Sequence, residues 1–336
     1  MVETGASPGM RTAIEQAVGI LREDGPASLA RDAAAFLRRE GSRRYAAATY
    51  EPEAPPCRVM AEDWDTLVVL DACRFDQFER LSELPGRLEA RTSLGSCTPE
   101  FLDGNFCGAT HYDTVYVTAN PMYRATDVDD VFHDVVDVWE SGWDETNQTV
   151  HPEEMADATL AAHERYPDKR ILAHFVQPHY PFVGDRGREI ERQTDEMSGI
   201  EWIERTADGD ASKDDRATPW DLLDRDVLDE ATVREAYDEN LRLALPHVER
   251  VLDGIEGKAV VTSDHGNLVG ERVSPFSGPV HGHPPDTRVA ELLTVPWLVV
   301  AGENRREVRA EDPARAADEV AGDDVVAERL ADLGYA

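Results

Sequence analysis

Three apolar segments of the sequence end in side chains that bind metals or carry protons. One ends at Asp71, one reaches His179, and one ends in the pair Asp264-His265, which a glycine follows. Because parallel strands of an open α/β sheet place their carboxyl ends at one edge, we expect these side chains to lie close together. Two carboxylates there repel each other unless a cation lies between them. The sequence therefore predicts a divalent metal bound by Asp71, Asp264 and His265.

A candidate nucleophile lies in a short polar segment between the first two of these ends. Ser96, Cys97 and Thr98 stand immediately before Pro99, which suits the first position of a helix. Backbone N–H groups at a helix N-terminus favour an anionic ester, and a nearby metal lowers the pKa of a hydroxyl group. Thr98 is the favoured nucleophile, with Ser96 and Cys97 as alternatives. A plain helix cap by Ser96 or Thr98 is the non-catalytic interpretation.

The elements that must position these residues alternate along the chain. Short apolar runs typical of buried parallel strands are found at 65–71, 114–118, 170–176, 258–262 and 295–300. Helical patterns lie between and after them, at 74–84, 152–166, 229–253 and 312–333. This alternation predicts an α/β fold with a doubly wound, mostly parallel sheet flanked by helices.

The domain organisation predicted is a helical extension followed by one large domain. Residues 10–45 indicate two helices broken at Gly25-Pro26, and a proline-containing linker follows over 46–63. We therefore divide the chain into an N-terminal helical extension, 1–50, and a catalytic domain, 51–336. Within that domain, the polar segment 185–228 is predicted to be a surface insertion and a candidate lid over the site.

The charge of the chain is strongly acidic, with 68 Asp and Glu against 34 Lys and Arg and a net charge of −34. Only Lys169, Lys213 and Lys258 are lysines. Such a surface requires salt to screen its own repulsion, which predicts a halophilic protein of an acidic proteome. The N-terminal sequence lacks the apolar core of a signal peptide, so a cytoplasmic location is expected.

The same composition limits the partners that we expect. No basic patch is available to track a phosphate backbone, so nucleic acid is not an expected ligand. No stretch has the roughly 20 apolar residues of a transmembrane helix. Residues 10–45 are interpreted first as a packed appendage, with contact at a membrane surface as the alternative. The four cysteines, Cys57, Cys73, Cys97 and Cys107, have no metal-site spacing and are expected to be free thiols.

Three motifs resemble those of the alkaline phosphatase and sulfatase superfamily, across roughly 62–336. Ser263-Asp-His-Gly-Asn267 with His281-Gly-His-Pro284 is similar to the S-D-H-G…H-G-x-P pattern of phosphoethanolamine transferases. His174-Phe-Val-Gln-Pro-His-Tyr-Pro181 resembles the H-x-x-x-P-H-x-P motif of sulfatases. The ending 326–335 looks like the terminal helix of sulfatase-like proteins. The resemblance implies an alkaline phosphatase-like fold.

The resemblance also implies roles for individual residues. Asp71, Asp264 and His265 match metal ligands. His179 and either His281 or His283 match residues that contact the ester or its leaving group, and the sequence leaves the choice between the last two open.

Two departures from the sulfatase pattern favour one branch of the superfamily. Sulfatases carry C-x-P-S-R, whereas Cys97-Thr-Pro-Glu-Phe101 keeps only the cysteine and the proline. Their paired aspartates correspond here to Asp71-Ala72. A single metal with a hydroxyl nucleophile, as in the phosphoethanolamine transferase and lipoteichoic acid synthase branch, fits better.

The function expected is therefore hydrolysis or transfer of a phosphate or sulfate ester through a covalent intermediate. Its substrate would be a small-molecule or glycan ester. Mn²⁺ or Zn²⁺ is the favoured ion because of the imidazole ligand, with Ca²⁺ and Mg²⁺ as alternatives. A non-catalytic relative that keeps the metal site is the alternative function.

Overall fold

The fold is seen in a computed structural model, which describes residues 25–126, 128, 130–192, 218–302, 304–313 and 322–335. The strands are β1 Thr66–Asp71, β2 Arg87–Thr92, β3 His111–Thr118, β4 Phe132–Asp137, β5 Trp143–Asp144, β6 Thr149–Val150, β7 Arg170–Pro178, β8 Ala259–Ser263, β9 Leu268–Glu271, β10 Val280–Gly282 and β11 Thr294–Val300. The helices are α1 Gly25–Thr49, α2 Phe75–Leu81, α3 Thr98–Phe106, α4 Val138–Ser141, α5 Pro152–Arg165, α6 Pro219–Asp224, α7 Glu230–Gly254, α8 Ala290–Leu293 and α9 Asp323–Asp332.

The central sheet has seven strands in the order β2-β11-β8-β1-β7-β3-β4. Strand β1 pairs in parallel with β7 and β8, and β3 pairs in parallel with β7 and β4. Strand β11 runs antiparallel to both of its neighbours. The predicted doubly wound, mostly parallel sheet is confirmed.

Strand β1 shows why this sheet is covered on both faces. Val68 and Leu70 pack in a cluster with residues of α5 and α7, whereas Leu67 and Val69 pack in a second cluster with residues of α3. Successive side chains of a strand point to opposite faces, so an all-apolar strand needs a helical layer on each side. The short run of β1 therefore lies at the centre of the sheet, with its carboxyl end at the edge where the candidate site forms.

The predicted N-terminal extension is described only in part, because residues 1–24 lie outside the described residues. Helix α1 packs against the segment between β9 and β10, where the Ser274 hydroxyl donates to the Ser42 hydroxyl at 2.9 Å and Phe276 meets Tyr45 edge to face. Ala46 is buried. The alternative, contact with a membrane surface, stays a prediction. None of the described helices is both long and apolar enough to span a bilayer.

The predicted insertion at 185–228 is described at its two ends. Residues 185–192 are helical, and α6 begins with a capping box in which Thr218 and Asp221 exchange hydrogen bonds. The intervening residues 193–217 lie outside the described residues, so the proposed lid is untested.

Candidate metal centre

The carboxyl ends of β1 and β8 bring two buried aspartates together. His265 Nε2 lies 3.7 Å from Asp71 Oδ1 and 3.3 Å from Asp264 Oδ2, and all three side chains are fully buried. Ala72 takes a left-handed conformation with φ 59°, and its N–H donates to Asp264 Oδ1 at 2.9 Å. This strained turn after β1 ties the two strand ends to each other. The structure thus places the three predicted ligands at one point.

The tautomer of His265 follows from its second nitrogen. Nδ1 lies 2.7 Å from the Gly266 carbonyl oxygen, which can only accept, so Nδ1 carries the hydrogen. In the neutral form of the ring, Nε2 then carries a lone pair that faces both carboxylates. This is the arrangement that a histidine metal ligand adopts, with the other ring nitrogen held by a backbone carbonyl.

His174, which was not among the predicted ligands, forms a metal-sized group with the two aspartates, and His265 is not part of that group. One ligand atom each from Asp71, His174 and Asp264 lie within 4.8 Å of one another, a spacing that could hold a metal ion. His174 lies in the middle of β7, and its Nδ1 is 2.8 Å from the Tyr116 hydroxyl. A histidine inside an otherwise apolar strand was the signal that could have identified it.

The pKa values of the Asp71 and Asp264 carboxyl groups are shifted in opposite directions. Burial, and after it the charge of Asp264, raises the pKa of Asp71 well above its ordinary value. Burial also acts to raise the pKa of Asp264, but the imidazoles of His265 and His174 outweigh it and lower that pKa below its ordinary value. Two buried like charges in contact are therefore in conflict unless something positive is added.

Two atoms show that this polar cluster fits a cation. Among the residues that the structure describes, Asp71 Oδ1 and His174 Nε2 are buried and have no hydrogen-bond partner. Buried polar atoms are normally paired, so an orphaned carboxylate oxygen and an orphaned imidazole nitrogen in one buried cluster need an explanation. A divalent ion would satisfy both, and the mixed nitrogen and oxygen donors suit zinc or manganese better than calcium.

Thr98 is the one of the three candidate nucleophiles whose side chain reaches the cluster. It begins α3 and is fully buried. Its hydroxyl donates to Asp264 Oδ2 at 2.8 Å and lies 3.2 Å from His265 Nε2. The N-terminal end of α3 therefore presents a hydroxyl group directly to the proposed ligands.

Ser96 and Cys97 are placed differently. The Ser96 hydroxyl lies 2.9 Å from Glu100 Oε2 and 3.1 Å from the Pro284 carbonyl oxygen, and its one hydrogen can go to either, so it lies between the start of α3 and a neighbouring loop. Cys97 is the extended residue that precedes the helix, and burial raises the pKa of its thiol to about 12. A thiol that is protonated at neutral pH is a weak nucleophile. The geometry favours Thr98 over these two alternatives.

The two candidate histidines after β9, His281 and His283, have different surroundings. His283 Nε2 lies 2.8 Å from His179 Nε2, and its ring centroid is 4.6 Å from that of His265. His281 instead faces Asp224, with Nδ1 2.7 Å from Oδ1. Gly282 between them has φ 76°, a conformation that reverses the direction of the chain and suits glycine. The structure brings His283 to the centre and leaves His281 outside it.

His179 and His283 form a neutral pair at this side of the cluster. Burial lowers the pKa of His179 to about 4. Burial, followed by the charge of His265, lowers the pKa of His283 well below its ordinary value. His179 Nδ1 lies 2.5 Å from the Tyr180 carbonyl oxygen and so carries its hydrogen there. The contact between the two Nε2 atoms therefore needs the hydrogen on His283, which makes that N–H a potential donor to a ligand.

Comparison with known proteins finds similarity to solved structures only. No protein-family model matches the chain, and no curated protein matches it in sequence. Several solved structures are similar. The C-terminal periplasmic domain of EptC from Escherichia coli, a complex with Zn, is 13% identical, with 76% of each chain covered and a TM-score of 0.43.

Two further similar structures broaden this group. The integral membrane lipooligosaccharide phosphoethanolamine transferase A from Neisseria meningitidis is 12% identical over 88% of this chain and 59% of its own, with a TM-score of 0.45. The phosphonate monoester hydrolase of Silicibacter pomeroyi is 14% identical over 72% and 68%, with a TM-score of 0.41. Both of these neighbours are named as enzymes.

The predicted cytoplasmic location is wrong by this comparison, and the halophilic assignment has no support. The similar structures include domains described as periplasmic, those of EptC from Escherichia coli and from Campylobacter jejuni. The physical reason for the error is that net charge governs solubility and association and does not specify a compartment. A charge of −34 describes the surface of the protein and nothing about its environment.

Proposed function

We propose that the chain is a metal-dependent hydrolase or transferase that acts on a phosphate or sulfate ester through a covalent intermediate on Thr98. The observation that carries this proposal is the position of the Thr98 hydroxyl, 2.8 Å from Asp264 and 3.2 Å from His265, beside the orphaned oxygen of Asp71. The domain that holds this centre would be residues 51–336, with 1–50 as a helical extension.

The residues proposed to hold the metal are Asp71, Asp264 and His265, with His174 as an additional donor. Each offers an atom at the cluster, and Zn²⁺ or Mn²⁺ is the proposed ion. When bound, the cation would lower the pKa of the Thr98 hydroxyl and offset the negative charge on an ester oxygen.

The residues of the chain suggest how the ester would react. The Thr98 hydroxyl, with its pKa lowered, would lose its proton to water, and its oxygen would bond to the phosphorus or sulfur atom while the bond to the leaving oxygen breaks. The N–H of His283, which contacts His179 in this structure, would turn to donate a hydrogen bond to the leaving oxygen, which departs as an anion and takes its proton from water. Water or an acceptor alcohol would then take the phosphoryl or sulfuryl group and return the hydroxyl to Thr98.

The alternative function is a protein that keeps the metal site without catalysis. Such a protein has no need of a buried hydroxyl placed between two ligands at a helix N-terminus, or of a paired His179 and His283 beside it. These features support the enzyme over the binding protein. A mutase with two metals would need a second full set of ligands, whereas the described residues contain one such group.

The experiment that tests the proposed function is an assay on paired substrates. We expect the purified protein to hydrolyse an aryl phosphate or the matching aryl sulfate, to lose this activity in a chelator, and to regain it on addition of Zn²⁺ or Mn²⁺. The rate ratio of the two substrates identifies the ester. Metal binding by equilibrium dialysis without turnover of either substrate, or of a glycan phosphate, would favour the non-catalytic alternative.

Substitution of His283, with His281 as the control, tests whether His283 assists departure of the leaving group. We expect His283→Ala to lower kcat by about 10²–10³-fold, the range for losing one hydrogen-bond donor to the developing charge, while KM changes little. His281→Ala, two residues away and facing Asp224, is expected to leave kcat unchanged. Steady-state kinetics on an ester with a poor leaving group make the difference largest. Equal effects of the two substitutions would show that His283 has no special role.

A further inference from the structure

Tyr335 reaches into the metal centre from the opposite end of the chain. Its hydroxyl donates to Asp71 Oδ2 at 2.8 Å and lies 3.0 Å from Thr98 Oγ1. Its ring lies parallel to that of His179, with the centroids 5.0 Å apart and an interplanar angle of 5°. One side chain therefore touches a proposed ligand, the proposed nucleophile and a proposed ester-binding residue.

The two oxygens of Asp71 have different surroundings. Oδ1 faces His265 Nε2 and has no hydrogen-bond partner among the described residues. Oδ2 accepts from Tyr335 and also from Asn120 Nδ2 at 2.9 Å. Two donors on one oxygen fix the rotation of the carboxylate and leave the other oxygen directed at the space where a cation would bind.

Both donors are themselves held in place. Asn120 follows β3, and its Oδ1 accepts from the Met122 N–H at 2.9 Å, so Nδ2 must point to Asp71. Tyr335 follows α9, and Gly334 before it has φ 82°, which turns the chain out of the helix.

Helix α9 is anchored on the domain by several contacts. Val326 and Leu333 are buried in the cluster that covers one face of the sheet. Arg329 bonds to Glu145 at 2.6 Å, and its guanidinium lies 4.5 Å from the centroid of the Trp143 ring. A side chain held by such a support is positioned before any ligand arrives, which is the condition for orienting a metal ligand.

We propose that Tyr335, together with Asn120, is a positioning residue of the metal centre. The pair holds Asp71 with Oδ1 toward the cation, and Tyr335 also keeps the Thr98 hydroxyl and the His179 ring in place. This inference rests on the proposed function, because it assigns the two residues to the same metal site. The helix at residues 323–332 thereby becomes part of the reaction centre.

The test is a titration of the metal-free protein with Zn²⁺ against a competing chromophoric chelator. We expect Tyr335→Phe, which removes one hydroxyl, to raise the Kd for zinc by about 10–100-fold, the usual effect of losing a partner of a metal ligand. Tyr166→Phe is the matched control, because the Tyr166 hydroxyl also bonds to an aspartate, Asp134, on the edge strand β4. Its zinc affinity is expected to equal that of the wild type.

A double substitution separates positioning from general loss of structure. In an Asp71→Asn background, Tyr335→Phe should change zinc affinity no further if it acts through that carboxylate. Wild-type affinity in Tyr335→Phe would overturn the inference alone. If the wild type itself binds no zinc or manganese, the proposed function fails, and this inference fails with it. Should Tyr335→Phe not fold by circular dichroism, Asn120→Ala tests the same oxygen, and unchanged affinity there overturns the proposal.

Discussion

Replacing Thr98 by alanine is expected to abolish turnover of the ester. Loss of a covalent nucleophile lowers kcat by several orders of magnitude, on the order of 10⁶ in a well-studied protease. Thr98 has this role in our proposal because its hydroxyl donates to Asp264 and adjoins His265 in a fully buried centre. Thr98→Ser keeps the hydroxyl and should keep turnover. Steady-state rates, and a search by mass spectrometry for a phosphoryl or sulfuryl group on residue 98, provide the measurements.

Cys97→Ser is the control for the neighbouring position. The Cys97 thiol has a raised pKa, and the residue precedes α3, where serine is a favourable helix N-cap. We therefore expect this variant to be as stable and as active as the wild type. Inactive Cys97→Ser protein, with formylglycine found at residue 97 of the native chain, would show that the sulfatase chemistry applies and that Thr98 is not the nucleophile.

The parts of the centre that the sequence could predict are those that follow strands. Asp71 and Asp264-His265 end or follow buried apolar runs, and the rule that strand ends meet at one edge of the sheet places them together. The same rule placed His179, which follows β7. These predictions did not specify the strand order. The residues come together because their strands, β8, β1 and β7, are neighbours in the sheet.

The residues that the sequence could not supply depend on packing between distant segments. His174 is a different case, because its place in an apolar run was a signal, although a single histidine within a strand is most simply interpreted as a core residue. Asn120 stands in an ordinary turn before a proline. The role of Tyr335 depends on where α9 docks, since its contacts with Asp71 and Thr98 span most of the chain. No local pattern encodes such a contact.

The edge strands were missed for a related reason. In β2, five of the six residues are at least partly exposed, so polar and apolar residues mix and no apolar run forms. Strand β4 shows the same mixture. The choice between His281 and His283 was also beyond the sequence, because it depends on the left-handed conformation of Gly282.

Asp71→Asn is expected to have opposite effects on the stability of the metal-free and the metal-bound protein. In the metal-free protein, Asp71 and Asp264 are buried like charges, and burial, then Asp264, raises the pKa of Asp71. Asparagine keeps the shape and can still accept from Asn120 and Tyr335 through its oxygen. Removal of the repulsion should therefore leave the melting temperature of the metal-free variant equal to or above that of the wild type.

When zinc is added, the wild type should have the higher melting temperature and Asp71→Asn the lower one. A ligand that binds only the folded state stabilises it by about 2.7 kcal/mol at roughly 100 times its Kd, so wild-type protein should melt several degrees higher when zinc is added. The variant lacks the oxygen that the structure leaves without a partner, and it should show little of this shift and no turnover. Asp134→Asn, on the edge strand β4, serves as the control and should keep the full shift. Calorimetry of the three proteins, each with and without zinc, measures these melting temperatures. A variant that is less stable without metal yet gains the wild-type shift with zinc would place the metal elsewhere and remove Asp71 from the proposed centre.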